Sequence, residues 1–194
     1  EWCERGLLAR IHRYTLQRAR REIEPVSSAV FMRFAFAWQR VSREQRGLGR
    51  EALPDVLALL EGFEAAAGAW ESGLLAARLP DYDPSWLDAA CLSGRLAWGR
   101  LSAPASGKAA RSLGTTPIVL VERESWGWLA RSGSAVADTD LSAPARRVLA
   151  HLRERGACFL HDLGRTLPER DELAHAISEL VAAGRVSSDS FGGM

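Results

Sequence analysis

"DYDPSWLDAACLSGRLAWGRL", residues 81–101, decides the fold. Asp83 is a good helix N-cap, because its carboxylate reaches the free amides of the first turn, and Pro84 suits the first helical position. Trp86, Leu87, Ala90 and Cys91 recur at helical spacing and face inward. Gly94 closes the helix, and then the period changes. Arg95, Ala97 and Gly99 alternate with Leu96 and Trp98, which predicts a strand. A second strand follows at "PIVLVER" (117–123), rich in β-branched residues. Between them "SAPASGKAARSLGTT" (102–116) is polar and carries Lys108 and Arg111. A helix leading into a hairpin with a long polar tip is the second half of a winged helix, the helix-turn-helix variant with a β wing.

Upstream the same unit continues. Pro54 opens a helix whose buried side is Leu53, Val56, Leu57 and Leu60. "AAAGAWESGLLAARL" (65–79) predicts another helix, ended by Pro80. Downstream the pattern returns. "VLALLEGFEA…LLAARL…WLDAACLSGRLAW" resembles "VLAHLRERGACF…DLGRTL…AISELVAAGRVSS", with Val56 matching Val148 and Gly94-Arg95 matching Gly184-Arg185. Spacings of about ninety residues predict two copies of one small domain, not a solenoid of short repeats. In the second copy "RVSSDSF" (185–191) reads as the start of a strand, and the chain stops before the wing is complete.

Two helices precede the first copy. Residues 4–22 place Leu7, Leu8, Ile11, Tyr14 and Thr15 on one face. Arg10, Arg13, Gln17, Arg20, Arg21 and Glu24 fall opposite, within about a third of the circumference. Arg18 projects on the apolar side and needs a partner if that side is buried. Pro25 stops this helix, and Ser27 or Ser28 caps the next. That helix, "SSAVFMRFAFAWQRV", is apolar on more than one face, which predicts burial between layers or against a partner. "SREQRGLGRE" (42–51) is a polar loop. The expected architecture is mostly α with small β-hairpins (α+β), in tandem winged-helix modules. An N-terminal helical module covers 1–50, and a winged-helix module covers 51–128 with its wing at 95–123. A linker covers 129–141, and a second, truncated winged-helix module covers 142–194.

The chain has 24 arginines and one lysine against 24 acidic residues, a formal net charge of +1. A dominant nucleic-acid binder is usually more lopsided, so any cationic surface must be local. Cys3, Cys91 and Cys158 are odd in number and widely spaced, which argues against a disulfide framework or a metal knuckle and for a reducing cytosol. No apolar run is long enough to span a membrane, and the start lacks a signal core. Opening on Glu1 and ending on Phe191-Gly-Gly-Met, the chain reads as a piece of something larger.

Two sets of cations stand out as nucleic-acid candidates. One is the helical stripe of Arg10, Arg13, Arg20 and Arg21. It reads first as a solvated polar face, then as a phosphate contact and then as a protein contact. The other is the wing, where Arg95, Arg100, Lys108 and Arg111 sit on or beside the hairpin with Ser106, Ser112, Thr115 and Thr116 as hydroxyl donors. Its alternative is a plain surface loop. The helix in the recognition position, 84–92, lacks the arginine, asparagine and glutamine that read base edges, and Asp81, Asp83 and Asp88 repel phosphate if exposed. The second copy's helix, with Glu169, Asp171, Glu172 and Glu179, is an equally poor groove reader. His12, His151, His161 and His175 lack metal spacing, and "HD" at 161–162 stands alone, so no catalytic residue is assigned.

The string "IHRYT…EIEPVS…FMRF…WQ", followed by "LEGFEAAAGAWE", "LPDYDPSWLDAACLSGRLAWGRL" and "TPIVLVERE", resembles bacterial large helicase-related proteins, in the region C-terminal to the helicase core. The resemblance covers essentially the whole chain, with local departures at Gly6 and Ala29-Val30. It implies a cytoplasmic, ATP-driven DNA helicase acting in DNA repair, whose winged-helix array follows the motor and mediates oligomerisation. It also implies a likeness to winged-helix DNA glycosylases. No phosphate-binding G-x-x-x-x-G-K-[ST] loop is present, because Gly107-Lys108 is followed by two alanines. ATP and magnesium are therefore expected in the parent's core, with no cofactor here. The expectation is a non-catalytic region that contacts single-stranded or duplex DNA non-specifically, other domains of its parent chain and further copies of itself. Its rivals are a protein scaffold without DNA affinity and a portion of a glycosylase-like domain.

Overall fold

The computed structural model describes residues 4–102, 113–132 and 140–192. Helix α1 (Arg5–Arg21) begins at Glu4, whose carboxylate accepts from the Gly6 and Leu7 amides. Helix α2 (Ser28–Trp38) is capped by Ser27. Of the two readings of α2, burial between layers is absent among the described residues, and the apolar face of α1 is open as well. Leu8, Ile11, Phe31, Phe34 and Trp38 are all exposed, Trp38 to 62%. The physical reason is that no described element covers them, so their apolar faces point at solvent. Arg18 pairs with Glu22 at 3.2 Å, both exposed.

Beyond α2 the chain knits onto the first winged helix. Arg40 pairs with Asp55 at 3.2 Å, and the Gly49 amide donates to Asp81 at 2.8 Å. Arg78, 6% exposed, donates to Gln39 Oε1 and to the Leu74 carbonyl, 2.9 Å each. Burial without a carboxylate lowers its pKa from the ordinary arginine value. These bonds cross the module edge expected at residues 50/51.

The first unit runs α3 (Leu53–Leu59), β1 (Ala65–Ala66), α4 (Ala67–Ala69), α5 (Pro84–Leu92), β2 (Leu96–Gly99) and β3 (Pro117–Glu122). The alanine-rich stretch expected as one helix divides instead. Ala65 and Ala66 pair with Ile118 and Pro117, and α4 continues as a π turn over Trp70–Leu75. Helix propensity gives way because β3 offers an open edge there. The sheet order is β1-β3-β2, all antiparallel, with Leu96 opposite Glu122 and Gly99 opposite Val119. Trp70 fills the middle, fully buried, and its indole donates to the Ile118 carbonyl at 3.2 Å.

Helix α6 (Arg123–Ser132) follows β3 directly and extends into the segment expected as linker. The second unit is α7 (Ala143–Arg155), α8 (Leu160–Leu163) and α9 (Arg170–Ala182) around its own core of Val148, Leu149, Leu167 and Leu180. No strand precedes α8, and residues 185–191 are not a strand. Instead they dock on the first unit. Phe191 is buried against Trp98, ring edge to face at 6.4 Å, and joins the first core with Val181. Ile177 and Val186 pack against both cores.

Candidate nucleic-acid interface

Of the eight cations singled out by sequence, four lie on α1. Arg10, Arg13, Arg20 and Arg21 are exposed, and none makes an ion pair among the described residues. Their guanidinium groups keep all their donors for an outside acceptor, which suits phosphate oxygens. Arg20 and Arg21 sit in the helix's last turn, where the macrodipole favours cations.

Arg95 and Arg100 flank β2 with different fates. Arg95 is exposed at the foot of the hairpin. Arg100 is half-buried, and its guanidinium donates to the Ala182 carbonyl at 2.8 Å and the Ser102 carbonyl at 2.9 Å. It satisfies the open end of α9 and so ties the two units together. Lys108 and Arg111, with Ser106 and Ser112, lie outside the described residues. Thr115 is exposed and Thr116 buried. The foot of the wing is held by Glu64, whose carboxylate accepts from the Leu101 and Ser102 amides at 2.7 and 2.9 Å.

Helix α5 occupies the recognition position, yet its flanks are occupied. The Asp88 carboxylate accepts from the Phe191 and Gly192 amides at 2.9 and 3.0 Å, which holds its pKa below the usual carboxylate value. Asp83 caps α5 through the Ser85 amide at 2.8 Å, and hydrogen bonds from the Ser85 hydroxyl and then its amide hold its pKa below the usual value. Asp81 holds Gly49. The aspartates read from sequence as repellents of phosphate are backbone acceptors, and Asp88 fastens the chain's last described residues. No local signal marks that role, because its partners lie more than a hundred residues away.

On the other side of α5 a groove of about 750 Å³ runs between α3, α5 and the hairpin's foot. Its floor is apolar, with Leu53, Leu57, Trp86, Leu96 and Val121. Its rim carries Glu51, Glu61, Glu122 and Glu124, and also Arg50, Arg95 and Arg123. Arg123 is turned inward onto the Gly94 and Leu96 carbonyls. The Trp126 indole packs against Gly99, where an added Cβ would come within 2.3 Å of the ring. That contact makes Trp126 a packing residue of the hairpin. Among the described residues no cluster of histidine, cysteine or carboxylate is arranged to hold a metal. Cys91 is buried, its thiol pushed up to about 12 by desolvation. No described helix is long and apolar enough to cross a membrane.

Comparison with known proteins agrees with this architecture. Residues 26–122, from just before α2 to the end of β3, match the family described as large helicase-related protein, winged-helix domain. A protein of Mycolicibacterium smegmatis (strain ATCC 700084 / mc(2)155), named "Lhr helicase/ probable uracil glycosylase", is 30% identical over 197 residues. The alignment takes in 98% of this chain but only 12% of that protein. With α3, β1, α4, α5 and the β2–β3 hairpin in winged-helix order and the match spanning them all, the chain belongs to the large helicase-related (Lhr) family.

Proposed function

We propose that this chain is a non-catalytic region of an ATP-dependent, cytoplasmic DNA helicase that acts in DNA repair. In that protein ATP and magnesium belong to the motor core. The region here contacts DNA without reading its sequence and holds neighbouring modules and copies together. The observation that carries the DNA reading is the α1 stripe: four exposed arginines without an ion pair among the described residues. Arg95, Lys108 and Arg111 extend the cationic set toward the wing. Arg100 is left out of it, because its guanidinium is already bound to α9. Sequence-specific readout is not part of the proposal, since α5 exposes serine and leucine rather than the side chains that pair with base edges.

The test is fluorescence anisotropy of a labelled oligonucleotide, duplex and single-stranded, over a series of salt concentrations. Each neutralised duplex phosphate contributes about −0.9 to the slope of log K against log salt. Replacing Arg10, Arg13, Arg20 and Arg21 by glutamine makes that slope shallower by up to about 3.6, and lowers affinity alike for unrelated sequences. Indifference of the unaltered chain to DNA at low salt would sink the DNA reading and leave a protein scaffold.

A further inference from the structure

Helix α1 is amphipathic and unpartnered on both sides. It carries six arginines and no acidic residue. Leu7, Leu8, Ile11 and Tyr14 form an exposed stripe opposite Arg13 and Arg20. Arg10 and Arg21 border that stripe on one edge, Arg5 lies beyond the other, and Arg18, paired with Glu22, closes its C-terminal end. An apolar stripe in water calls for a covering surface. Symmetric pairing of two copies through α1 alone is disfavoured, because an isologous contact sets the same patch against itself. It would bring two such arginine sets together, with the two carboxylates at the helix ends already engaged, Glu4 as the cap and Glu22 with Arg18.

The chain itself presents a surface of the opposite kind. The α3–α5 groove has an apolar floor, and with Arg123 turned onto backbone carbonyls its rim is four glutamates against Arg50 and Arg95. All four glutamates are exposed, and none makes an ion pair among the described residues. An apolar floor between carboxylates fits a helix with an apolar stripe between arginines.

We propose that α1 of one copy lies in the α3–α5 groove of a second copy, stripe downward and flanking arginines against the glutamate rim, so that copies join head to tail. The assembly role proposed above names no surface; this assigns both faces and makes the contact heterologous. Arg13 and Arg20 stay outward in the docked helix, so DNA contact does not require the docking and keeps those two of its four arginines when Arg10 and Arg21 face the rim.

Two substitutions at exposed sites separate the faces. I11E places a carboxylate in the middle of the stripe, and A58R places a guanidinium at the mouth of the groove. Sedimentation velocity across a wide concentration range is expected to show each variant associating at least about tenfold more weakly than the unaltered chain. Mixing the two variants is then expected to restore a pair and nothing larger. The I11E copy still offers an intact groove, and the A58R copy an intact α1. Circular dichroism checks that each folds, and E61R serves as a second groove variant. Two associating variants, or a mixture that forms no pair, would overturn the docking. So would an unaltered chain that stays monomeric, and if that monomer still binds DNA in a salt-dependent way, the DNA reading stands alone.

Discussion

The first and second units share a helical frame and part company after it. Val56 and Val148 are fully buried, as are Leu79 and Leu167, and Leu57 and Leu149 are equally close to it. Gly62 and Gly156 end the first helices with φ of 79° in both. Gly94 and Gly184 end the third helices, again with positive φ. After Gly94 the chain turns into β2 and pairs with β3. After Gly184 it forms no strand and lies against the first unit, where Ser187 donates to the Trp98 carbonyl and the Trp98 indole donates to the Ser190 carbonyl at 3.1 Å. The contrast shows what a wing needs. A strand is stable only with a partner for its backbone groups. In the first unit β3 supplies one, and among the described residues the segment after Gly184 bonds to Trp98 and Asp88 of its neighbour.

If the units differ in this way, their cores should differ in what their loss does. W70A removes a fully buried indole and its bond to Ile118, and costs about 3–5 kcal/mol by urea denaturation. It should also loosen the second unit's last residues, because Phe191 sits in the same core. L167A in the second core costs about 2–5 kcal/mol and should leave the β2–β3 hairpin amides protected from exchange. Equal loss of hairpin protection in both variants would break the distinction between a unit that carries the wing and one that leans on it.

The glycines sharpen the same comparison at smaller cost. Gly62 has open space around it, so G62A adds only the strain of a left-handed residue, about 1–2 kcal/mol. Gly184 has similar φ, but a Cβ there meets the Arg100 carbonyl oxygen at 3.0 Å. G184A is therefore expected to cost more than G62A in the same thermal melt, and to weaken the Arg100–Ala182 tie. Equal costs would mean that the close approach of the two units adds nothing.

Local chemistry was legible in sequence, and long-range chemistry was not. Ser27 and Asp83 cap their helices as capping rules predict, and the inward residues of α3 are buried where periodicity placed them. The π turn at Trp70 and the two-residue strand before it escaped, since pairing with β3 is decided by the fold. Arg100 was chosen as a phosphate contact by residue type and position beside the wing. Nothing in sequence says that the carbonyl end of α9 comes to rest beside it. For α1 and α2 the periodicity gave the right faces, and the chain holds no described element to cover them. The holding roles of Glu64 and Asp88 are hidden for one reason: a carboxylate that holds distant amides looks in sequence like any surface acid.

Asp88 supplies the gentlest break of the comparison. Its carboxylate holds the Phe191 and Gly192 amides, and the bonds keep its folded pKa below the ordinary value. A depressed carboxylate stabilises the folded chain fully above its unfolded pKa, about 3.9. That contribution is lost as pH falls through the lower folded value. Protection of the Phe191 and Gly192 amides in the unaltered chain should therefore be flat at neutral pH and fall only in acid. D88N keeps the shape but weakens both bonds, because a neutral amide oxygen accepts less strongly than a carboxylate. Its two amides should exchange faster at neutral pH, without the acid step, while α7 and the second core are undisturbed. Unchanged protection in D88N would mean that Phe191 in its apolar slot, and not the carboxylate, holds the second unit against the wing.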